Sequence, residues 1–290
     1  MDRVIEKTVT SVDEGRKIGV YARRLGLSGT AIRRLRYTEG AILLNGSPVF
    51  SSERLKEGDR LTLILPEKGG GHVLPEDVAL DIIYEDEDFL VINKPPFMPT
   101  HPSKGHPAGT LANAVTAYNL SKGFDCPFRG LNRLDALTSG VVVTARNLAS
   151  AGATLKNKTY LGVVTGGMTP LSGSIEGGIR RVREDAALRG VFADGREAKT
   201  LYTTVERFKT ASLLRFTLLT GRTHQIRVHT SSAGHPIIGD PLYGEESSFI
   251  PRLALHARSV VIEYALGERR FEAEAPLPDD IRTLLDKLRA

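Results

Sequence analysis

The sequence predicts an α+β protein in two units, and three observations carry that prediction. Apolar, β-branched runs of strand length outnumber the stretches with helical spacing, so a mixed, mostly antiparallel sheet should dominate. Gly69-Gly70-Gly71 interrupts the chain, and three glycines in a row lose too much conformational entropy to sit inside an element. The length, 290 residues, is long for one domain and comfortable for two. A small α+β unit at 1–66, a Gly-rich linker at 67–76 and a larger unit at 77–290 follow.

In the first unit, Ile18, Tyr21, Ala22 and Leu25 have the spacing of a short helix, with Asp13 as its cap and Gly26 as its stop. Ser28 is placed to cap a second helix that turns Ile32 and Leu35 inward and Arg33, Arg34 and Arg36 mostly outward. Ala41 to Leu44 then runs into the hairpin signal Asn45-Gly46 and on to Pro48-Val49-Phe50. A turn at Glu57-Gly58-Asp59 precedes a strand from Leu61 to Leu65. Residues 1–68 hold 13 Lys and Arg against 9 Asp and Glu, an excess of four in a chain of net charge +5. Such an arginine-rich helix is either a phosphate grip or a solvated face.

In the second unit, Ile82 to Tyr84 and Phe89 to Ile92 read as strands around the acidic turn Glu85 to Asp88. Lys94-Pro95-Pro96 through His101-Pro102 is an ordered loop, since proline denies it helix and central strand alike. Thr110 to Tyr118 and Asn147 to Leu155 read as helices, and Tyr160 to Val164 as a strand. Residues 172–200, with Arg180, Arg181, Arg183, Arg189 and Arg196, form a basic excursion or hairpin. Strands follow at Thr203 to Val205, Leu213 to Leu219 and Ser259 to Tyr264. Pro278-Asp279-Asp280 opens a terminal helix with Ile281, Leu284, Leu285 and Leu288 on one face.

Composition narrows the function classes. With 41% apolar and 25% charged residues the chain is ordinary for a soluble globular protein. A net charge of +5 and a pI near 9.3 favour acidic partners, nucleic acid first. The single cysteine, Cys126, excludes a disulfide framework and a thiolate metal cluster. No apolar run is long enough for a membrane span and the start lacks a signal sequence, so a cytoplasmic protein with no membrane partner is expected. No Gly-x-Gly-x-x-Gly follows a strand, and no Gly-Lys-Ser/Thr or Gly-x-Ser-x-Gly occurs.

Two stretches carry the chemistry. Around Arg133-Leu134-Asp135, an extended backbone puts both charges on one side and Leu134 on the other, ahead of a Thr138-Ser139-Gly140 turn into Val141 to Val143. Asp135 is there either a nucleophile kept ionised by an arginine or the start of a turn. In Gly221-Arg222-Thr223-His224-Gln225-Ile226-Arg227-Val228-His229, Thr223 is placed to cap a helix ended by Gly234 and Pro236. His224 and Arg227 then share a face, and Arg227 is free to meet a carboxylate such as Asp135. His224, His229 and His235 lack the four-residue spacing of a helical zinc site, so no metal is expected.

These stretches, with Lys158-Thr159-Tyr160 and Gly234-His235-Pro236 through Asp240-Pro241-Leu242-Tyr243-Gly244, resemble the RluA-type pseudouridine synthases over residues 80–285. The resemblance implies that Asp135 is the nucleophilic aspartate, that Tyr160 stacks on the target uracil and that Arg227 pairs with the aspartate. Arg133 matches the arginine that replaces the flipped nucleotide in its stack, and Arg222 and His224 belong to the substrate-binding side. Residues 15–66 resemble the alpha-L RNA-binding domain, a common companion in the family, with Arg33, Arg34 and Arg36 as RNA contacts. Asn132 stands where the family usually has histidine, and the segment from Asn147 to Lys158 is short for the family.

The implied reaction detaches uracil from N1, rotates it and rejoins it through C5. Nothing is oxidised or consumed, so no cofactor is expected, and the protein is expected to act as a monomer. Ribosomal RNA is the expected substrate, large subunit first, with tRNA second. A glycoside hydrolase would need a second carboxylate as general acid, and Asp240 reads as structural in its Gly-Asp-Pro turn. An RNA-binding protein of the same fold without catalysis is the alternative; intact Asp135, Tyr160 and Arg227 weigh against it.

Overall fold

The computed structural model describes residues 2–67, 73–103, 105–184 and 187–290. The three glycines of the expected linker, with His72, lie outside the described residues. The first unit runs β1 (Arg3–Thr8), α1 (Ile18–Arg24), α2 (Gly29–Tyr37), β2 (Ile42–Leu44), β3 (Ser47–Pro48) and β4 (Arg60–Leu65). Its strands form an antiparallel sheet in the order β1-β4-β2-β3. Leu61, Leu63 and Leu65 of β4 alternate inward onto Ile18 and Tyr21 of α1 and Ile32 and Leu35 of α2.

Ser28 caps α2 by accepting from the Ala31 N–H at 3.1 Å. Asp13 does not cap α1. Gly15, at φ +76°, turns the chain before the helix, and Lys17 stands at the cap position without a side-chain bond. Asp13 is instead buried and accepts Arg24 at 2.5 Å and Arg16 at 3.0 Å.

The second unit runs β5 (Ile82–Glu85), β6 (Phe89–Lys94), α3 (Leu111–Ser121), β7 (Ser139–Ala145), β8 (Thr154–Thr165), β9 (Ser172–Glu176), β10 (Ile179–Arg181) and β11 (Arg189–Val191). It continues through β12 (Lys199–Arg207), β13 (Ala211–Leu218), α4 (Gln225–Ser232), β14 (Leu255–Tyr264), β15 (Arg269–Glu274) and α5 (Asp279–Arg289). Nine strands form one sheet in the order β5-β6-β7-β14-β8-β13-β12-β9, with β15 paired to β14. Among the described residues only β7 and β14 pair in parallel. The fold is α+β on a mixed, mostly antiparallel sheet.

Alternation along β6 and β7 splits the core between the two faces of this sheet. Leu90, Ile92 and Val142 pack with α3 and α5, while Phe89, Val91, Val141 and Val143 pack with Val260 and Ile262 of β14. Residues 147–155 are not a helix: Ser150–Gly152 makes a single 3-10 turn and β8 begins at Thr154. The basic excursion contains the β10–β11 hairpin. No helix among the described residues is long and apolar enough to cross a membrane.

The two units meet along a close seam. Leu148 and Ala149 join the hydrophobic cluster of the first unit. A Cβ added to Gly152 would stand 1.9 Å from the Gly26 carbonyl oxygen, so only glycine fits there. Arg3 reaches Glu87 at 3.6 Å and Asp88 at 3.7 Å, and Lys7 reaches Glu268 at 3.4 Å. Glu67, the first residue after that unit, accepts from Arg129 at 2.7 Å and from the Leu148 N–H.

Candidate active site

Asp135 sits on a loop just before β7, and its backbone is fixed from several sides. Leu134 is buried, and its N–H and carbonyl both bond the Thr100 hydroxyl, at 3.1 and 2.8 Å. The fully buried Lys94 donates to the carbonyls of Pro95 (2.7 Å), Met98 (2.8 Å) and Ala136 (3.2 Å). The equally buried Arg252 holds the Leu137 carbonyl at 3.2 Å. Gly140, at φ +113°, follows the turn, and a Cβ there would stand 2.1 Å from the Ala257 carbonyl oxygen of β14. The aspartate is therefore delivered to a defined point by groups remote in sequence.

Asn132 is spent on structure. Its side chain donates to the Val141 carbonyl at 2.9 Å and accepts from the Val143 N–H at 2.8 Å, holding the loop to β7.

Opposite Asp135, α4 begins without the expected cap. The N-cap residue is His224, in the left-handed region at φ 59°, and no side chain caps the helix; Thr223 does not fill that role. Gly234, at φ +80°, ends the segment as its sequence suggests. Arg227, one turn in, reaches back to two carboxylates. Its Nε and Nη2 take both oxygens of Asp240 at 2.7 and 2.8 Å, and its Nη1 takes Asp135 Oδ2 at 2.9 Å. Asp240 is fully buried and also accepts the Leu242 and Tyr243 N–H groups. Its turn is structural, and the same carboxylate aims Arg227 at Asp135.

The environment sets the charge states. Burial works against the charged Arg227, but Asp240 and Asp135 more than offset it and hold the guanidinium's pKa above its usual value. Tyr160 is buried on β8, and burial, then the nearby Asp135 charge, push its phenol up, so the ring is neutral. Burial pulls His224 down despite the attraction of Asp135. Tyr243 OH accepts from the Arg189 N–H at 3.0 Å and lies 2.8 Å from His224 Nδ1. The other ring nitrogen of His224, Nε2, lies 3.6 Å from Asp135 Oδ2.

These groups line one open pocket of about 280 Å³. It brings together Arg133, Asp135, Tyr160, Arg222, His224 and Arg227, each singled out from the sequence, and adds Lys158, whose pKa burial lowers. Arg133 is exposed at its edge. Arg33, Arg34 and Arg36 do not line this pocket; they lie on α2 of the first unit. Thr100, Lys94 and Arg252 were not legible as supports, because their bonds to Leu134, Ala136 and Leu137 span 34, 42 and 115 residues. His229 and His235 bond Thr200 and the Thr165 carbonyl, each at 2.9 Å, apart from the pocket.

Comparisons with known proteins bear on this arrangement. Residues 88–232 match a family described as RNA pseudouridylate synthase. An uncharacterized RNA pseudouridine synthase of Bacillus subtilis, YjbO, is 37% identical over 91% of this chain and 96% of its own length. Ribosomal large subunit pseudouridine synthase D of Pseudomonas aeruginosa is 34% identical over 87% of this chain and 85% of its own. The solved structure titled Human RNA Pseudouridylate Synthase Domain Containing 1 superposes with a TM-score of 0.57 at 26% identity, covering 74% of this chain and 96% of that one.

Proposed function

The chain belongs to the RNA pseudouridine synthases, and from that premise we propose that Asp135 is its nucleophile, with Arg227, Tyr160 and Arg133 serving the flipped uridine. The observation that carries this reading is the shared guanidinium. Arg227, anchored on the buried Asp240, presents its last nitrogen to Asp135 at 2.9 Å above a pocket that contains a neutral tyrosine.

In this reading uridine leaves its stack and enters the pocket, where the Tyr160 ring supports the uracil face. Arg133, exposed at the edge, fills the vacated place in the RNA. The carboxylate of Asp135, paired with Arg227, faces the ribose as the N1–C1′ bond breaks. The uracil turns, C5 bonds to C1′, the C5 hydrogen is released as a proton and N1 gains one, so the product is an isomer. Arg222 and His224 contact the substrate from the side of α4.

The supporting unit at 1–66, with Arg33, Arg34 and Arg36, grips RNA phosphates, and the unit at 77–290 does the chemistry. The substrate is large-subunit ribosomal RNA, with tRNA second. The identity of 34% to ribosomal large subunit pseudouridine synthase D supports that order. Asp135→Asn, which keeps the shape of the side chain, should abolish pseudouridine formation while RNA affinity stays within a few-fold. Turnover by that variant, read by tritium release from C5-labelled uridine in ribosomal RNA, would sink the assignment.

A further inference from the structure

Ser51 is a junction of three segments in the first unit. Its carbonyl accepts from the Gly19 N–H of α1 at 2.9 Å, and its hydroxyl accepts from Arg36 Nε of α2 at 3.1 Å. Next in sequence to Arg36 is Tyr37, 85% exposed, and next to Ser51 is Phe50, 78% exposed. These are the two most exposed large hydrophobic side chains among the described residues. Val20, beside Gly19, is also exposed. A single exposed apolar residue needs no explanation. Two bare rings at one junction leave unburied the apolar area that normally drives aromatic side chains inward.

The charge around the rings is uncommitted. Among the described residues Arg23, Arg33, Arg34 and Arg36 form no ion pair with a carboxylate, whereas Arg16 and Arg24 of the same unit are both held by Asp13. Guanidinium groups without a carboxylate partner, three of them on the helix that carries Tyr37, together with open aromatic rings match the two halves of an unpaired nucleotide, phosphate and base. A duplex would satisfy the arginines and leave the rings idle, because its base faces are already stacked. A second protein would need carboxylates for the arginines as well as an apolar face for the rings, whereas one unpaired strand supplies both partners.

We propose that Tyr37 and Phe50 form a stacking platform for unpaired bases, so that the first unit takes a looped or single-stranded segment of the substrate RNA. The proposal rests on the reading above that this unit binds RNA, and it adds the class of RNA element recognised. The rings supply stacking to bases of any identity, and the arginines hold the backbone.

The chain contains no tryptophan, so Tyr37→Trp installs a single indole reporter in the 290-residue chain. Titration with a short oligo(A), which offers no uridine to the pocket, should quench the indole; a guanosine–cytidine duplex of equal length should not. Tyr37→Ser and Phe50→Ser should each weaken oligo(A) binding about 5- to 100-fold, the range for loss of one base stack. Neither should change the salt dependence, because no phosphate contact is lost. Arg33→Ala with Arg36→Ala should flatten that dependence. If the arginine variant responds and the Tyr37→Ser/Phe50→Ser protein keeps full oligo(A) affinity, the platform is overturned and the RNA-binding unit stands. If neither variant alters RNA binding, the RNA reading of the unit fails outright. Indole emission that follows protein concentration instead of RNA places a second copy of the chain on the rings and overturns the platform.

Discussion

Arg227 sends three guanidinium nitrogens into two carboxylates, and the two ends of that bridge differ in burial: Asp240 is sealed while Asp135 opens to the pocket. Removing the arginine leaves Asp240 buried without its partner and takes the guanidinium away from Asp135. Arg227→Ala should therefore lower the rate about 100-fold or more. Arg227→Lys should recover part of the rate, because one ammonium cannot span both carboxylates as a planar guanidinium does. Single-turnover rates at saturating RNA decide it; an Arg227→Ala rate equal to the wild type refutes a role for the ion pair. His256 gives an independent pH signature. It is fully buried between Ser139 Oγ (3.0 Å) and the Ala275 carbonyl (3.3 Å), and its pKa is pushed down to about 4. Burial is the main cause; the Arg252 and Arg258 charges add to it, against the pull of the Ala275 carbonyl and Asp280. Between that value and the unfolded value of about 6.5 the unfolded chain binds the extra proton, so stability must fall as pH falls through this window. The loss is about 3 kcal/mol, complete near pH 4. His256→Gln, which keeps a donor and an acceptor but does not titrate, should flatten the slope of urea-unfolding free energy between those pH values. Equal slopes would assign the acid sensitivity elsewhere.

At the scale of elements, the tightest constraint is the parallel pairing of β7 with β14. Gly140 lies there with φ +113° and no room for a Cβ. Gly140→Ala should destabilise the protein by about 3 kcal/mol or more through overlap and left-handed strain. It should also cost activity in the fraction that remains folded, because Asp135 sits five residues upstream, on the loop that leads into β7. A variant with wild-type Tm and rate would show that β14 yields there. The elements legible in the sequence were those with local signatures. Ser28 announced α2, Asn45-Gly46 announced the β2–β3 hairpin, and Ile281, Leu284 and Leu285 announced the buried face of α5. β1 and β15 went unread: each is a six-residue strand with several exposed positions, and β1 pairs with β4, more than fifty residues away. The expected cap at Thr223 failed because His224 takes a left-handed conformation that a cap rule does not foresee. The site divides the same way. Asp135, Tyr160 and Arg227 stood out in dense motifs, but Lys94, Thr100 and Arg252 support the loop through contacts that leave no trace in local spacing.

For the whole molecule the decisive feature is the seam where Gly26 and Gly152 nearly touch and Leu148 and Ala149 complete the other unit's core. The segment from Asn147 to Lys158 is the one that supplies this seat. Gly152→Leu forces the seam apart, since even its Cβ collides with the Gly26 carbonyl. Calorimetry should then resolve two unfolding transitions where the wild type shows one, and small-angle scattering should report a larger radius of gyration. One unchanged transition with an unchanged radius would mean that the contact does not hold the units together. For an RNA held at both places, the seam turns target choice into a matter of reach. The stretch of nucleotides between the anchored loop and the reacting uridine has to span one fixed gap. Adding or deleting a nucleotide in that stretch then carries the wrong base to the carboxylate, however well the loop itself is bound.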